Sequence, residues 1–157
     1  MFAFVLPSHA DFRTIEGVVR KVSDEDTIAV VTRGGKMFHI RLYGIDGPEI
    51  RHGKKPGQPF GEESKAALEA MILGKKVRIN ILDTDHYKRM VGIVYLGTFN
   101  VNEEMVKQGW AWAYGEYHVE PFLSDFIRAE RQAKENRRGL WQQDKPVPPW
   151  EYRRRNR

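Results

Sequence analysis

Three short β-type stretches near the N-terminus, joined by tight turns, constrain the fold of this chain most strongly. Residues 12–22 include an alternating stretch, residues 27–32 read Thr-Ile-Ala-Val-Val-Thr, and residues 37–45 form the third stretch. β-branched residues and a period of two both favour strands. Because residues 33–36 (Arg-Gly-Gly-Lys) are a strong hairpin signal, the three stretches are predicted to form a meander.

The remainder of the chain is predicted to add two strands and three helices. In chain order these are a helix over 61–73, strands over 75–82 and 90–96, a short helix capped by Asn102 and ending at Gly109, and a helix over 122–136. Five short strands with an interposed helix are typical of an OB-type barrel. The predicted fold class is therefore α+β, mainly β: a five-stranded OB-fold barrel with three helices. Such a fold does not by itself define a function.

The length of 157 residues suits one compact domain, which we assign to residues 11–142. Residues 1–10 end in Ser8-His9-Ala10, a small-x-small pattern like a signal-peptidase site. This segment is either the remnant of a signal peptide or an ordinary apolar N-terminal segment. The first alternative predicts a secreted or periplasmic protein, and the second leaves a cytoplasmic location open. Residues 143–157 are predicted to be an extended or disordered tail, rich in proline and arginine.

The positive charge of the chain is confined to its C-terminal end. The formal net charge is +5, and residues 137–157 hold seven Lys and Arg residues against Asp144 and Glu151. From totals of 26 basic and 21 acidic residues, this leaves 19 of each sign in the first 136 residues. The tail can add salt-dependent affinity for nucleic acid, or it can be a solvated or partner-binding segment. A nucleic-acid function for the body of the protein must therefore rest on particular site residues.

Charged residues concentrate at three predicted strand ends, in segments 24–27, 41–49 and 83–89. Arg41 lies within a largely apolar strand, where an unpaired charge is costly. Asp46 and Glu49 flank a Gly-Pro turn that can aim both carboxylates at one point. Asp26 begins the neighbouring strand of the meander and can reach the same point.

The residue types in these segments indicate a particular chemistry. The chain has no cysteine, and its five histidines include no pair at zinc spacing. Clustered carboxylates without thiolates favour a hard cation such as Ca²⁺ or Mg²⁺. A cation, a carboxylate that activates water and guanidiniums that hold phosphate oxygens together suit phosphodiester hydrolysis. Taken singly, the acidic segment 24–26 is better explained as a solvated turn, and Arg89 as an ordinary surface arginine. Arg41 is explained equally well as a structural ion-pair partner.

The three charged segments, in this order, resemble the signature stretches of the staphylococcal nuclease family. The likeness runs from about Val18 to Trp141 and includes residues 101–109 (VNEEMVKQG) and 139–141 (GLW). It implies an endonuclease that depends on Ca²⁺, with Mg²⁺ or Mn²⁺ as alternatives. It also implies cleavage of DNA and RNA with little sequence preference, leaving 3′-phosphates. We further expect a monomer that does not associate with membranes.

The resemblance also implies roles for individual residues. The cation ligands are Asp26, Asp46 and the backbone carbonyl of Gly47, the phosphate-binding arginines are Arg41 and Arg89, and the proposed general base is Glu49. Nucleotide contacts are implied for Tyr87, Tyr114 and Tyr117. Asp24 corresponds to a nearby acidic residue that is not essential in the same way.

The sequence departs from the family pattern at three of these places. Glu25 replaces the usual glycine between two aspartates, which adds charge beside the cation ligands. Gly47 replaces the usual threonine but keeps the carbonyl oxygen. Lys88 replaces the glycine before Arg89, at a point where glycine often adopts a backbone conformation that other residues disfavour.

Two other functions remain open at this level. The chain could be an OB-fold module that binds nucleic acid without cleaving it, although the presence of all five catalytic-type residues argues against this. It could also be a protein-interaction domain, which only the tail supports. Among the aromatic residues, Trp110 is predicted to lie in the core and Trp141 to act as a structural plug, while the role of Trp112 is open.

Overall fold

The structure is a computed structural model that describes residues 13–115 and 122–157. In chain order its strands and helices are β1 (Arg13–Asp24), β2 (Thr27–Val31), β3 (Met37–Leu42), β4 (Ile45–Asp46), α1 (Gly61–Ile72), β5 (Lys76–Thr84), β6 (Met90–Leu96), β7 (Phe99–Asn100), α2 (Val101–Lys107), β8 (Trp112–Ala113), α3 (Phe122–Glu135), a 3₁₀ turn (Gly139–Gln142) and α4 (Pro149–Arg155). No helix in these two ranges is both long and apolar enough to cross a membrane.

Five strands close into a barrel. Antiparallel pairing orders them β3-β2-β1-β5-β6, and a parallel pairing of β3 with β6 joins the two ends. At this closure Arg41 lies opposite Val91. Strand β7 extends the sheet from β6, while β4 and β8 form a separate small pair. The predicted OB-type α+β barrel is confirmed.

Alternating side chains of the strands form the barrel core, as the sequence pattern predicts. In β1, Ile15, Val19 and Val22 are 6%, 0% and 3% exposed. Of the residues between them, Gly17 is also buried and the others are exposed or half-buried. Helices α1, α2 and α3 add their apolar faces to this core. A second, smaller cluster contains Leu140 and Trp141, so the structural role predicted for Trp141 is confirmed. Trp110 is half-buried and packs against the main core.

The prediction that Asn102 caps the short helix is wrong. Helix α2 begins at Val101, two residues earlier than a cap at Asn102 implies, and Asn100 caps it by accepting a hydrogen bond from the backbone N–H of Glu103 at 3.0 Å. Asn102 is fully buried, and its amide group bonds the backbones of Tyr43, Gly92 and Val94 at 2.9 to 3.1 Å. A buried amide group needs hydrogen-bond partners for its donors and its acceptor. The Asn102 side chain therefore bonds β6 and the turn after β3, and it does not cap the helix.

The third strand is shorter than the predicted 37–45. It ends at Leu42 because Gly44 takes a φ of +74°, a left-handed conformation that turns the chain. Ile45 and Asp46 then form the two-residue strand β4, which pairs with β8. This turn leaves the Asp46 residue 1% exposed at one end of the barrel.

Residues 149–155 of the C-terminal segment form a helix, which corrects the prediction that residues 143–157 are extended or disordered. This helix, α4, begins with Pro149 in its first turn and has three arginines in its last turn. Both features favour a helix, because proline suits the first helical position and cations complement the C-terminal end of the helix dipole. The aromatic side chains of this helix then hold it against the barrel, as the contacts of Trp150 and Tyr152 show.

Trp150 lies with its ring centroid 5.6 Å from that of Trp112 and 5.2 Å from that of Tyr114. The hydroxyl of Tyr152 donates to the carbonyl of Pro56 at 2.6 Å. The tail therefore contacts both the end of the barrel and the loop that precedes α1. These contacts place the last turn of α4 beside the charged segments.

Candidate active site

The three charged segments meet at one pocket of about 640 Å³. Its lining includes all five residues that the sequence analysis placed in a catalytic centre: Asp26, Arg41, Asp46, Glu49 and Arg89. Tyr87 and Tyr114 also line it, and Arg153 of α4 adds a third guanidinium. Tyr117 lies outside the described residues. Among the five, the structure thus brings together residues as far as 63 positions apart in sequence, Asp26 and Arg89.

Arg41 joins the two aspartates that the resemblance implies as cation ligands. Its Nη2 lies 3.2 Å from Oδ2 of Asp26 and 3.9 Å from Oδ1 of Asp46, and its Nη1 donates to the carbonyl of Leu42 at 2.7 Å. Burial lowers the pKa of Arg41, but the charges of Asp26 and Asp46 outweigh this and raise it. Arg41 is therefore a permanent cation held on the pocket wall by β3.

Two aspartates of the pocket, Asp26 and Asp46, are buried. Asp26 is 5% exposed, and its Oδ1 accepts a hydrogen bond from Oγ1 of Thr27 at 3.1 Å. Burial raises the pKa of Asp46, although the bond from Arg153 and the charge of Arg41 act against the shift. Burial and the neighbouring Asp26 raise the pKa of Asp24 to about 6. So many carboxylates at close range repel one another unless a cation neutralises them.

Glu49 is positioned through its backbone by Gln58. The Glu49 N–H donates to Oε1 of Gln58 at 3.0 Å, and the Gln58 N–H donates to the Glu49 carbonyl at 2.7 Å. The Gln58 amide also donates to the carbonyl of Val147 at 2.8 Å, which links this loop to the C-terminal segment. The Glu49 side chain is thereby placed on the pocket beside Asp46.

Arg89 is held by a tight turn that Asp85 organises. Oδ2 of Asp85 lies 2.8 Å from Nε of Arg89, and Oδ1 accepts from the backbone N–H groups of Arg89 and Tyr87. Burial alone raises the pKa of Asp85, but these hydrogen bonds and the Arg89 charge lower it overall. Lys88 has a φ of +62°, so the glycine-like conformation expected at this position is retained by a lysine.

A chain of hydrogen bonds connects Arg89 with the carboxylates. Its Nη1 donates to Oγ1 of Thr27 at 3.3 Å, and the same hydroxyl donates to Asp26. The guanidinium also lies 5.4 Å from the ring centroid of Tyr87, which is 74% exposed. An exposed aromatic ring beside a phosphate-binding type of arginine is suited to stack on a base.

Glu25 and Gly47, two departures from the family pattern, are in contact. Glu25 is 4% exposed, and a Cβ added to Gly47 would lie 2.2 Å from its Cγ. A threonine at position 47 would therefore clash with this glutamate. Burial, followed by the charges of Asp26 and Asp24, raises the pKa of Glu25 to about 10.

Arg153 is a further residue of the pocket, and no motif in the sequence predicts it. Its guanidinium contacts both oxygens of Asp46, and its Nη1 donates to Oε1 of Glu49 at 2.5 Å. Hydrogen bonds from Arg153 to Asp46 are the main cause of its raised pKa. The signal available in the sequence was the Pro-Pro-Trp-Glu-Tyr-Arg run, which has a helix start and alternating aromatic residues. Nothing in that run specifies which arginine enters the pocket.

The donor set of the pocket fits a hard cation. Two groups of three carboxylates have ligand atoms within 4.8 Å of one another: Asp24, Glu25 and Asp26, and Glu25, Asp46 and Glu49. Carboxylate oxygens are the ligands that Ca²⁺ and Mg²⁺ prefer. Oε2 of Glu25 is buried and has no hydrogen-bond partner among the described residues, which is a further sign of an unsatisfied acceptor here.

The pocket of this OB-type barrel combines buried carboxylates with several arginines. Such a pocket is suited to bind a phosphodiester together with a cation. The sequence matches the family described as staphylococcal nuclease homologue over residues 39–143. The chain belongs to this family.

Relatives include an "Uncharacterized endonuclease" of Haemophilus influenzae, 37% identical over 139 residues that cover 88% of this chain and 73% of that protein. A protein of Escherichia coli O157:H7 with the same description is 39% identical over 142 residues, covering 90% and 86% of the two chains. A "Probable staphylococcal-like nuclease CAN1" of rice is 36% identical over 152 residues. The match covers 94% of this chain but only 43% of the rice protein.

Proposed function

We propose that this protein is a metal-dependent endonuclease that hydrolyses phosphodiester bonds of DNA and RNA with little sequence preference. The observation that carries this proposal is the position of Arg41 between Asp26 and Asp46, in a pocket that also holds Glu49 and Arg89. Family membership and the descriptions of the relatives as endonucleases and nucleases support the nuclease activity in this proposal.

Asp26, Asp46 and the carbonyl of Gly47 would hold the cation, with Ca²⁺ as the proposed ion and Mg²⁺ or Mn²⁺ as alternatives. When bound, the cation supplies Lewis-acid polarisation of the phosphate and offsets its negative charge. Gly47 directly follows Asp46, so its carbonyl belongs to the same turn. Glycine retains this backbone ligand without a side chain.

The two arginines bind the nonbridging oxygens of the scissile phosphate. Arg41 and Arg89 reach the pocket from β3 and from the turn before β6, so they are held by separate elements. Their charge is already in place when negative charge develops on the phosphate, which lowers the barrier. The planar guanidinium can bind two oxygens at once.

Glu49 serves as the general base. It accepts a proton from water as the water attacks phosphorus in line with the leaving 5′ oxygen. Cleavage of that P–O bond leaves a 3′-phosphate, the product that the family resemblance implies. Arg89 stabilises the departing oxygen, and Tyr87 and Tyr114 contact the nucleotides on either side of the phosphate.

The small-x-small pattern at Ser8-His9-Ala10 supports export to the periplasm or the medium. A monomer is the simplest state consistent with a site built entirely from one chain.

The test is cleavage of plasmid DNA and of RNA in Ca²⁺, in Mg²⁺ and in chelator. Glu49→Gln and Arg41→Ala are each expected to lower the rate by about 100-fold or more, because each removes a group that acts in the transition state. Glu63→Gln and Arg33→Ala, at exposed positions, are the charge-matched controls. End-labelling of the products reports whether the phosphate stays on the 3′ end.

Nucleic-acid binding without cleavage in any of the cations would favour the non-catalytic OB module. Cleavage that persists in both site variants would refute the assignment of Arg41 and Glu49. Dependence on the cation is refuted if chelator leaves the rate unchanged.

A further inference from the structure

Glu25 has surroundings that are unusual for a glutamate. Glu25 is only 4% exposed, and its Oε2 has no hydrogen-bond partner in the described part of the chain. Burying a carboxyl oxygen without a partner is unfavourable unless something else binds it. A buried acceptor oxygen without a partner, inside a pocket, indicates that a ligand binds there.

The position of Glu25 identifies the kind of ligand. It is the one member shared by the two groups of carboxylates whose oxygens come within 4.8 Å of one another. The first group includes Asp26 and the second includes Asp46, the two aspartates already proposed as cation ligands. Glu25 therefore lies between them, on the side of the pocket where the cation is proposed to bind.

Space for this side chain depends on Gly47. A Cβ at position 47 would lie 2.2 Å from Cγ and 2.9 Å from Cβ of Glu25. The threonine that the family usually has here and the glutamate at position 25 are thus mutually exclusive in this backbone. The two substitutions form a compensating pair: one adds a carboxylate and the other removes the side chain that would displace it.

We propose that Glu25 is an additional ligand of the active-site cation, and that Gly47 is the residue that makes room for it. This inference rests on the cation site of the proposed function and extends it. A third carboxylate between Asp26 and Asp46 would replace water in the coordination shell of Ca²⁺, an ion that accepts six to eight oxygen ligands. The chain would bind its cation more tightly and with fewer water ligands than a protein with glycine at position 25.

The first experiment measures Ca²⁺ binding to the full chain by calorimetry, without nucleic acid. Glu25→Gln is expected to weaken the Ca²⁺ affinity by about tenfold or more, because even the loss of a residue that only orients a metal ligand has an effect of this size. Asp83→Asn is the matched control, because Asp83 lines the same pocket but belongs to neither carboxylate group. It removes one nearby charge without removing a ligand, so its affinity should stay within about threefold of the wild type.

The second experiment counts water molecules on bound Eu³⁺, a hard cation that replaces Ca²⁺ at oxygen sites. Luminescence lifetimes in H₂O and D₂O should show more water on the ion in Glu25→Gln than in the wild type. The double variant Glu25→Gly with Gly47→Thr should show the same increase. This second variant keeps the test decisive if Glu25→Gln does not fold.

Equal affinity and equal hydration in the wild type and in a folded Glu25 variant would overturn the inference while leaving the cation site intact. Equal weakening by Asp83→Asn and Glu25→Gln would also overturn it, since general electrostatics would then explain the effect. If the wild type binds no Ca²⁺ or Eu³⁺, the proposed cation site falls together with this inference.

Discussion

Arg153 contacts both carboxylate oxygens of Asp46, at 3.1 and 2.8 Å, although the two residues are 107 positions apart in sequence. The same guanidinium bonds Glu49, so one residue of α4 contacts both a proposed cation ligand and the proposed general base. Because Asp46 is 1% exposed, this pair is partly shielded from water and its charges interact strongly. A cation that binds Asp46 must share this carboxylate with Arg153 or displace it.

Replacing Arg153 should therefore strengthen cation binding. Arg153→Ala removes a positive charge from Asp46, and we expect Ca²⁺ affinity to rise by about threefold or more. Arg154→Ala, at the next and exposed position, removes an equal charge outside the pocket and should have little effect. Calorimetry on the two variants separates these outcomes. Unchanged or weaker binding in Arg153→Ala would show that the guanidinium does not compete with the cation.

Lys88→Gly should stabilise the protein. Lys88 has a φ of +62°, and a left-handed conformation costs a residue with a Cβ about 1–2 kcal/mol. Glycine avoids this strain but loses more entropy on folding, so we expect a net gain of about 0.5–1 kcal/mol in the free energy of unfolding. Lys88→Ala is the control, since it removes the same charge and keeps the strain. Urea denaturation of both variants measures the difference, and equal stability of the two would contradict the prediction.

Gly47→Ala should destabilise the protein through its clash with Glu25. The added Cβ would lie 2.2 Å from Cγ of Glu25, and overpacking of this kind costs about 1–3 kcal/mol. In Glu25→Gly with Gly47→Ala, the clash is absent, so the second substitution should cost much less. A double-mutant cycle on the free energy of unfolding measures this coupling. Additive effects of the two substitutions would mean that the side chains do not meet.

Without a cation, the stability of the protein should fall as the pH rises. The folded-state pKa of Glu25 is raised from 4.5 to about 10, so between these values the folded chain keeps a proton that the unfolded chain releases. The free energy of unfolding therefore decreases with pH across this window, by at most about 1.4 kcal/mol per pH unit. We expect a loss of at least about 1 kcal/mol between pH 6 and pH 8.

Chemical denaturation in chelator at several pH values tests this dependence. Glu25→Gln cannot ionise at position 25 and should have a much flatter profile over the same range. A wild-type profile that is flat, or that rises with pH, would show that Glu25 is ionised in the folded protein. Added Ca²⁺ should reduce the loss at high pH, because a bound cation favours the ionised carboxylates.

Local sequence patterns were sufficient to predict the barrel. Alternating residues of β1, the β-branched run of β2 and the Gly-Gly hairpin after it specify strands and turns through interactions between near neighbours. The strand end before Gly44 was missed because the Gly44 carbonyl bonds the distant Tyr114 N–H. The cap by Asn100 is a local contact, but the choice of Asn100 over Asn102 depends on a distant segment. Asn102, for example, is buried by the turn at Tyr43 and by β6, and its side chain bonds their backbones.

The sequence by itself predicted five residues that line one pocket, because their types and their order along the chain resemble one family. Only the tertiary structure decided which groups surround them. Arg153 enters the pocket because Trp150 and Tyr152 hold α4 against the barrel, and Glu25 turns inward because Gly47 leaves it room. Both effects arise from contacts between segments that are distant along the chain. Charge and burial at those contacts depend on three-dimensional packing, which no local pattern of residues encodes.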